Sequence, residues 1–139
     1  MTDSLSRILY VEDDASIAEI VMVTLEDLGG FTARHCDGGQ KALETVLDFA
    51  PQLILMDVMM PGLSGPETLE ILNTVPVARE VPVIFMTAKA QRHEQEAYRN
   101  LGAIGVIVKP FDPITLSDQI TELWEQWNAA RATGDTADA

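Results

Sequence analysis

Leu53-Ile54-Leu55-Met56-Asp57-Val58-Met59-Met60-Pro61-Gly62 is the stretch that decides the fold. Four apolar residues run without a break and stop at one carboxylate, and a Pro-Gly turn follows. A short apolar run closed by turn signals predicts a strand buried on both faces, as in a parallel sheet. Ligands of such sheets bind in the crevice outside the carboxyl ends of the strands. Asp57 stands at that end. An acid is not needed there for packing, and its burial is costly unless it is paired or metal-bound.

Downstream, Ser64-Gly65-Pro66-Glu67 has the form of a capping box with Pro in the first turn. It predicts a helix that buries Leu69, Leu72, Ile71 and Val75 and ends at Pro76, with a loop over 77–81. Pro82 to Thr87 reads as another strand, with Pro at its first position. The polar stretch Lys89–Asn100 carries a thin stripe of Ala97, Tyr98 and Leu101, so it reads as a loosely anchored helix. Ile104 to Val108 is a further strand. Asp112-Pro113 then opens a helix with Leu116, Ile120, Leu123 and Trp127 on one face and Trp124 alongside.

Upstream, Arg7 to Val11 reads as the first strand, ending in Glu12-Asp13-Asp14. Asp14 is the expected N-cap of a helix carrying Ile17, Val21, Leu25 and Leu28, stopped by Gly29-Gly30. Phe31 to His35 is a short strand. Asp37 is the expected cap of a helix with Ala42, Leu43, Val46 and Leu47 on its buried face. Five strands alternating with five helices predict an α/β fold, a parallel sheet with helices on both faces.

Strand ends thus supply Glu12, Asp13, Asp57, Thr87 and Lys109 to one edge of the sheet. Crowded carboxylates raise one another's pKa unless a cation is present. Magnesium takes oxygen ligands and is commonly held by one or two carboxylates together with phosphate. Acids, one hydroxyl and one lysine together make a good phosphoryl site.

These motifs, Ile8-Leu9-Tyr10-Val11-Glu12-Asp13-Asp14, Asp57 to Gly65, Thr87-Ala88-Lys89-Ala90 and Lys109-Pro110-Phe111, resemble those of receiver domains of bacterial response regulators, the CheY-like members of the flavodoxin-like folds. The resemblance covers roughly residues 5–128, and residues 129–139 are expected to form a frayed tail. It implies strand order 2-1-3-4-5. It implies Asp57 as phosphoacceptor, Asp13 as direct Mg²⁺ ligand, Glu12 as an acid that reaches the metal through water, and the backbone carbonyl of Met59 as a further ligand. Thr87 is expected to contact the phosphoryl group. Lys109 is expected to pair with the acids and then the phosphate, and the peptide before Pro110 to be cis. The implied donor is a sensor histidine kinase, a histidine phosphotransfer protein or a small phosphodonor, and the implied reader is a downstream protein target. No turnover of an independent substrate is expected.

One position departs from the pattern. The family usually has Tyr or Phe three residues before the lysine, and Val106 stands there. A stiff, short side chain cannot swing as a ring does, so the signal is expected to leave by another route, such as the 89–100 helix. A degenerate receiver that binds partners without phosphorylation is the alternative reading. An aspartate-nucleophile phosphatase needs a second acid two residues after the nucleophile, where Met59 stands, and no P-loop motif occurs.

Composition narrows the partners. The chain has 139 residues with 9 basic against 22 acidic, a net charge of −13. That disfavours nucleic acid and anionic membrane, because phosphate contacts need clustered Lys and Arg. With no signal-peptide pattern, no long apolar run and a lone Cys36, a cytoplasmic location and no internal disulfide are expected. The length leaves no room for an output module, so a stand-alone messenger or a phosphorelay shuttle is expected. His35 and His93 are expected at the surface or a strand edge. Met56, Met59 and Met60 are expected in core and loop packing.

Overall fold

The computed structural model describes residues 4–88 and 91–138, with the backbone alone for 132–138. Five strands, β1 (Arg7–Val11), β2 (Thr32–Cys36), β3 (Leu53–Asp57), β4 (Val83–Thr87) and β5 (Gly105–Val108), form one parallel sheet in the order β2-β1-β3-β4-β5. Between and after them run α1 (Ala15–Val23), α2 (Gly39–Phe49), α3 (Gly65–Leu72), α4 (Arg92–Asn100) and α5 (Pro113–Asp138). Among the described residues, no helix is long and apolar enough to cross a membrane.

The sheet divides the core by strand alternation, since successive side chains point to opposite faces. Ile8, Tyr10, Leu53, Leu55, Ile84, Met86 and Ile107 face α1 and α5, where they meet Val21, Leu25, Leu116, Ile120 and Trp124. Leu9, Val11, Ile54, Met56, Val83 and Phe85 face α2 and α3, where they meet Ala42, Val46, Leu69 and Leu72. All five residues of β3 are buried, as its unbroken apolar run predicts.

Several helix starts follow the sequence directly. Asp14 caps α1, its Oδ1 accepting from Ser16 N at 2.9 Å and Ile17 N at 3.1 Å. Ser64 caps α3 in a reciprocal pair, with Glu67 N donating to Ser64 Oγ at 3.2 Å and Ser64 N to Glu67 Oε1 at 2.9 Å. Asp112 caps α5 through Ile114 N at 2.9 Å.

Other expectations are corrected. Asp37 does not cap α2: the N-cap is Gly38, with no side-chain bond. The helix after β1 widens into a π turn over Thr24–Leu28, with Gly29 N donating to Thr24 O five residues back at 3.0 Å. The wider turn shifts the phase of the buried face, so Leu25 stays buried while Leu28 is exposed. Leu47 and Ile71 also face solvent. α3 ends at Leu72, ahead of Pro76, and a 3₁₀ turn, Ala78–Glu80, lies in the loop beyond. β2, β4 and β5 each begin one residue later than predicted. The expected helix start at Lys89 lies outside the described residues, and α4 begins at Arg92.

The backbone of α5 is helical through Asp138, and so includes residues 129–138. The segment is rich in Ala, the best helix former. The Arg131 guanidinium lies 4.8 Å from the ring centre of Trp127, one turn earlier on the same helix, and 3.6 Å from the exposed Glu80 Oε2.

Candidate functional site

The carboxyl ends of β1, β3, β4 and β5 lie together because the strands are parallel and in register. Met56 pairs with Val11, Asp57 with Met86, and Thr87 with Val108. Strand ends therefore deliver Glu12 and Asp13, Asp57, Thr87 and Lys109 to one rim. One carboxylate oxygen from each of Glu12, Asp13 and Asp57 lies within 4.8 Å of the others. Lys109 Nζ sits 2.6 Å from Asp57 Oδ1 and 3.1 Å from Glu12 Oε1. Its backbone N–H donates to Thr87 O at 2.8 Å, which binds the turn after β5 to the end of β4. The Lys109–Pro110 peptide is cis.

Burial differs among these groups and sets their electrostatics. Glu12 is 1 % exposed, and Asp57 and Thr87 are each 6 % exposed, whereas Asp13 faces solvent. Burial, and then the nearby Asp57 charge, push the Glu12 carboxyl up against the opposing pull of Lys109. Burial alone would lower Lys109, but its hydrogen bonds to Asp57 and Glu12 and their charges outweigh that, so its pKa is raised. Three carboxylates against one ammonium leave the rim with two uncompensated negative charges. A set of oxygen donors with that charge can hold a divalent cation.

The loop after β3 depends on one close approach. A Cβ at Gly65 would lie 2.5 Å from the backbone oxygen of Asp57 and 3.0 Å from the Phe85 ring. Gly65 N donates to Val58 O at 2.8 Å, so α3 starts directly against the strand that carries Asp57. Met56 and Met60 are core residues, whereas Met59, two residues past Asp57, lies in the loop after β3 and is 77 % exposed.

Two residues near the acids were not singled out from the sequence. The Tyr10 hydroxyl lies 3.4 Å from Glu12 Oε1. His35 lies on the edge strand β2, one of the two places expected for it, and is partly buried there: its Nε2 lies 2.8 Å from the Glu12 backbone oxygen, and its ring lies 5.7 Å from that of Tyr10. A signal for Tyr10 was present, because residues two apart on a strand share a face and a buried tyrosine needs a partner for its hydroxyl. His35 carried no such signal, since the register of β2 on β1 is not written in either segment alone. His93 is exposed.

Comparison with known proteins agrees with this geometry. The sequence pattern described as the response regulator receiver domain matches residues 8–121. The phosphate regulon transcriptional regulatory protein PhoB of Pseudomonas aeruginosa is 36 % identical over 106 residues, covering 76 % of this chain and 46 % of PhoB. The DNA-binding response regulator MtrA of Mycobacterium tuberculosis is 38 % identical over 107 residues, covering 77 % of this chain and 45 % of MtrA. The chain thus spans about half the length of these curated relatives. Chemotaxis protein CheY4 of Vibrio cholerae superposes with a TM-score of 0.80 at 27 % identity, over 86 % of this chain and 99 % of CheY4. A parallel sheet with four strand ends converging on an acid–lysine rim, and a family match over most of its length, make this chain a member of the response regulator receiver domain family.

Proposed function

We propose that this receiver domain is a phosphoryl-accepting switch in which Asp57 is the acceptor. The observation that supports this most is the 2.6 Å contact of Lys109 Nζ with Asp57 Oδ1, at a rim where two more acids converge. A carboxylate oxygen of Asp57 attacks the phosphorus of a phosphohistidine, on a sensor kinase or histidine phosphotransfer protein, or of a small donor such as an acyl phosphate. The bond from phosphorus to the donor breaks as the bond to Asp57 forms, giving an acyl phosphate. Lys109 turns from the carboxylate to a phosphoryl oxygen, and the Thr87 hydroxyl donates to another. Water later attacks phosphorus and restores the free carboxylate.

Glu12, Asp13, Asp57 and the backbone carbonyl of Met59 are the groups that would hold Mg²⁺, directly or through water. The ion would supply neutralisation of the negative charge gathered during transfer. The donor set fits, being all oxygen and two charges short of balance.

The new covalent state shifts an equilibrium between two conformers, about 1.4 kcal/mol of differential stabilisation for each tenfold change. A downstream protein reads the shifted population, in the cytoplasm. The domain turns over no separate substrate.

The test uses beryllofluoride, which adds to a carboxylate as a phosphoryl mimic, together with Mg²⁺. The thermal midpoint of the wild-type protein is expected to rise, and that of Asp57→Asn to stay where it is. An equal response from both proteins, or from neither, supports the phosphorylation-independent binding module instead.

A further inference from the structure

We infer that Tyr10, backed by His35, is a positioning residue that fixes the Glu12 carboxylate for cation binding. The inference rests on the reading of the acid rim as an Mg²⁺ site. Tyr10 is fully buried among Ile8, Leu55, Met86, Leu116 and Trp124 on the α1–α5 side of the sheet. Packing alone would be served as well by phenylalanine, and an unpaired hydroxyl there would cost free energy. The hydroxyl instead lies 3.4 Å from Glu12 Oε1.

That oxygen is the one Lys109 also holds, with Nζ at 3.1 Å. Asp14 N donates to the other oxygen, Oε2, at 3.3 Å. The backbone of Glu12 is held as well. Its N–H donates to Cys36 O at 3.0 Å. Its carbonyl can only accept, so the His35 Nε2 at 2.8 Å carries the proton in that bond. Tyr10 and His35 are register partners on β1 and β2, and their rings are in contact. One pair of residues from neighbouring strands therefore grips Glu12 by side chain and by main chain.

The grip has a consequence for the switch. Lys109 bridges Glu12 and Asp57, and the proposed transfer draws it toward the phosphoryl group. The Tyr10 hydroxyl is then the donor left on Oε1, so the carboxylate keeps its aim while the lysine moves. Partners that orient a metal-binding group commonly change metal affinity by about 10- to 100-fold when removed.

The dissociation constant for Mg²⁺ is measured by calorimetry on the full chain, for wild type, Tyr10→Phe, Glu12→Gln and the double variant. Tyr10→Phe is expected to weaken binding about tenfold and to add nothing in the Glu12→Gln background. His35→Phe keeps the ring contact but loses the donor, and is expected to weaken binding less than Tyr10→Phe does. Wild-type affinity in Tyr10→Phe beside weakened Glu12→Gln overturns the positioning role and leaves the cation site standing. Wild-type affinity in both overturns the role and the cation site together.

Should Tyr10→Phe lose its helical circular dichroism, a second readout decides. The chain has two tyrosines, so Tyr98→Phe leaves Tyr10 as the sole one. Its ¹³Cζ resonance is expected to move on Mg²⁺ addition with the same midpoint as the calorimetry. A resonance that stays still while Mg²⁺ binds overturns the inference.

Discussion

Helices α4 and α5 flank the same strand, β5, yet they are held to the molecule in opposite ways. α5 buries Leu116, Ile120 and Trp124 in the core and is fixed at its start by Asp112 and Pro113. α4 has no fully buried residue. Its main apolar anchor is the Tyr98 ring, edge-on to Phe85 with centres 5.1 Å apart. Helix stability in proteins comes mostly from packing of an apolar face. α5 is therefore scaffold, while α4 belongs to the low-stability end of the molecule, from which moving parts are drawn. Phe85 also stands 3.0 Å from a Cβ built at Gly65, the residue that closes against Asp57. The weakly held helix is thus packed, through one ring, next to the backbone of the acceptor strand.

Substitutions should separate the two helices by size of effect. Ile120→Ala in α5 is expected to lower the unfolding free energy by about 2–5 kcal/mol, read as a shift in the denaturant midpoint with unchanged slope. Mg²⁺ at a hundred times its dissociation constant is expected to raise stability by about 2.7 kcal/mol. Chelation should remove that gain, and Asp13→Asn should reduce it at a fixed Mg²⁺ concentration. Gly65→Ala forces a methyl against the Asp57 carbonyl and is expected to cost about 1–3 kcal/mol. It should disturb amide resonances around Asp57 before those of α5. Tyr98→Ala is expected to forfeit an aromatic pairing worth about 0.5–1.5 kcal/mol, alongside a faster amide exchange confined to α4. Arg131→Ala removes an exposed pair with Glu80 and should change stability by less than about 1 kcal/mol. Equal costs for Ile120→Ala and Tyr98→Ala would erase the contrast between the helices.

The contrast was partly legible in the sequence. The thin stripe of α4 and the full face of α5 both follow from counting apolar positions at helical spacing. The rim was legible too, because a run such as Leu53 to Met56 has one reading and its end places Asp57. Local chemistry that closes on itself, as in Ser64 and Glu67, forms in the fold as the sequence predicts. What failed was set at a distance or by competing local choices. Leu28 lost its buried place to a π turn, and Asp37 lost the cap to Gly38. The Arg131–Glu80 pair joins α5 to the loop before β4, a contact that no local pattern encodes. The hold of His35 on Glu12 needed the register of two strands, which no single segment encodes.

Val106, where the family usually places an aromatic ring, pairs with Phe85 across β4 and β5. The ring that does touch Phe85 comes instead from α4. Phosphorylation-dependent motion is accordingly expected in residues 92–100, with residues 113–128 unchanged, as read by hydrogen exchange.

The most direct measurement is peptide mass spectrometry after incubation with acetyl phosphate, with Mg²⁺ or with chelator. One added phosphoryl group on the peptide containing Asp57, absent with chelator and absent in Asp57→Asn, is the predicted result. A phosphoryl group on another residue, or none in the wild-type protein with Mg²⁺, would contradict it.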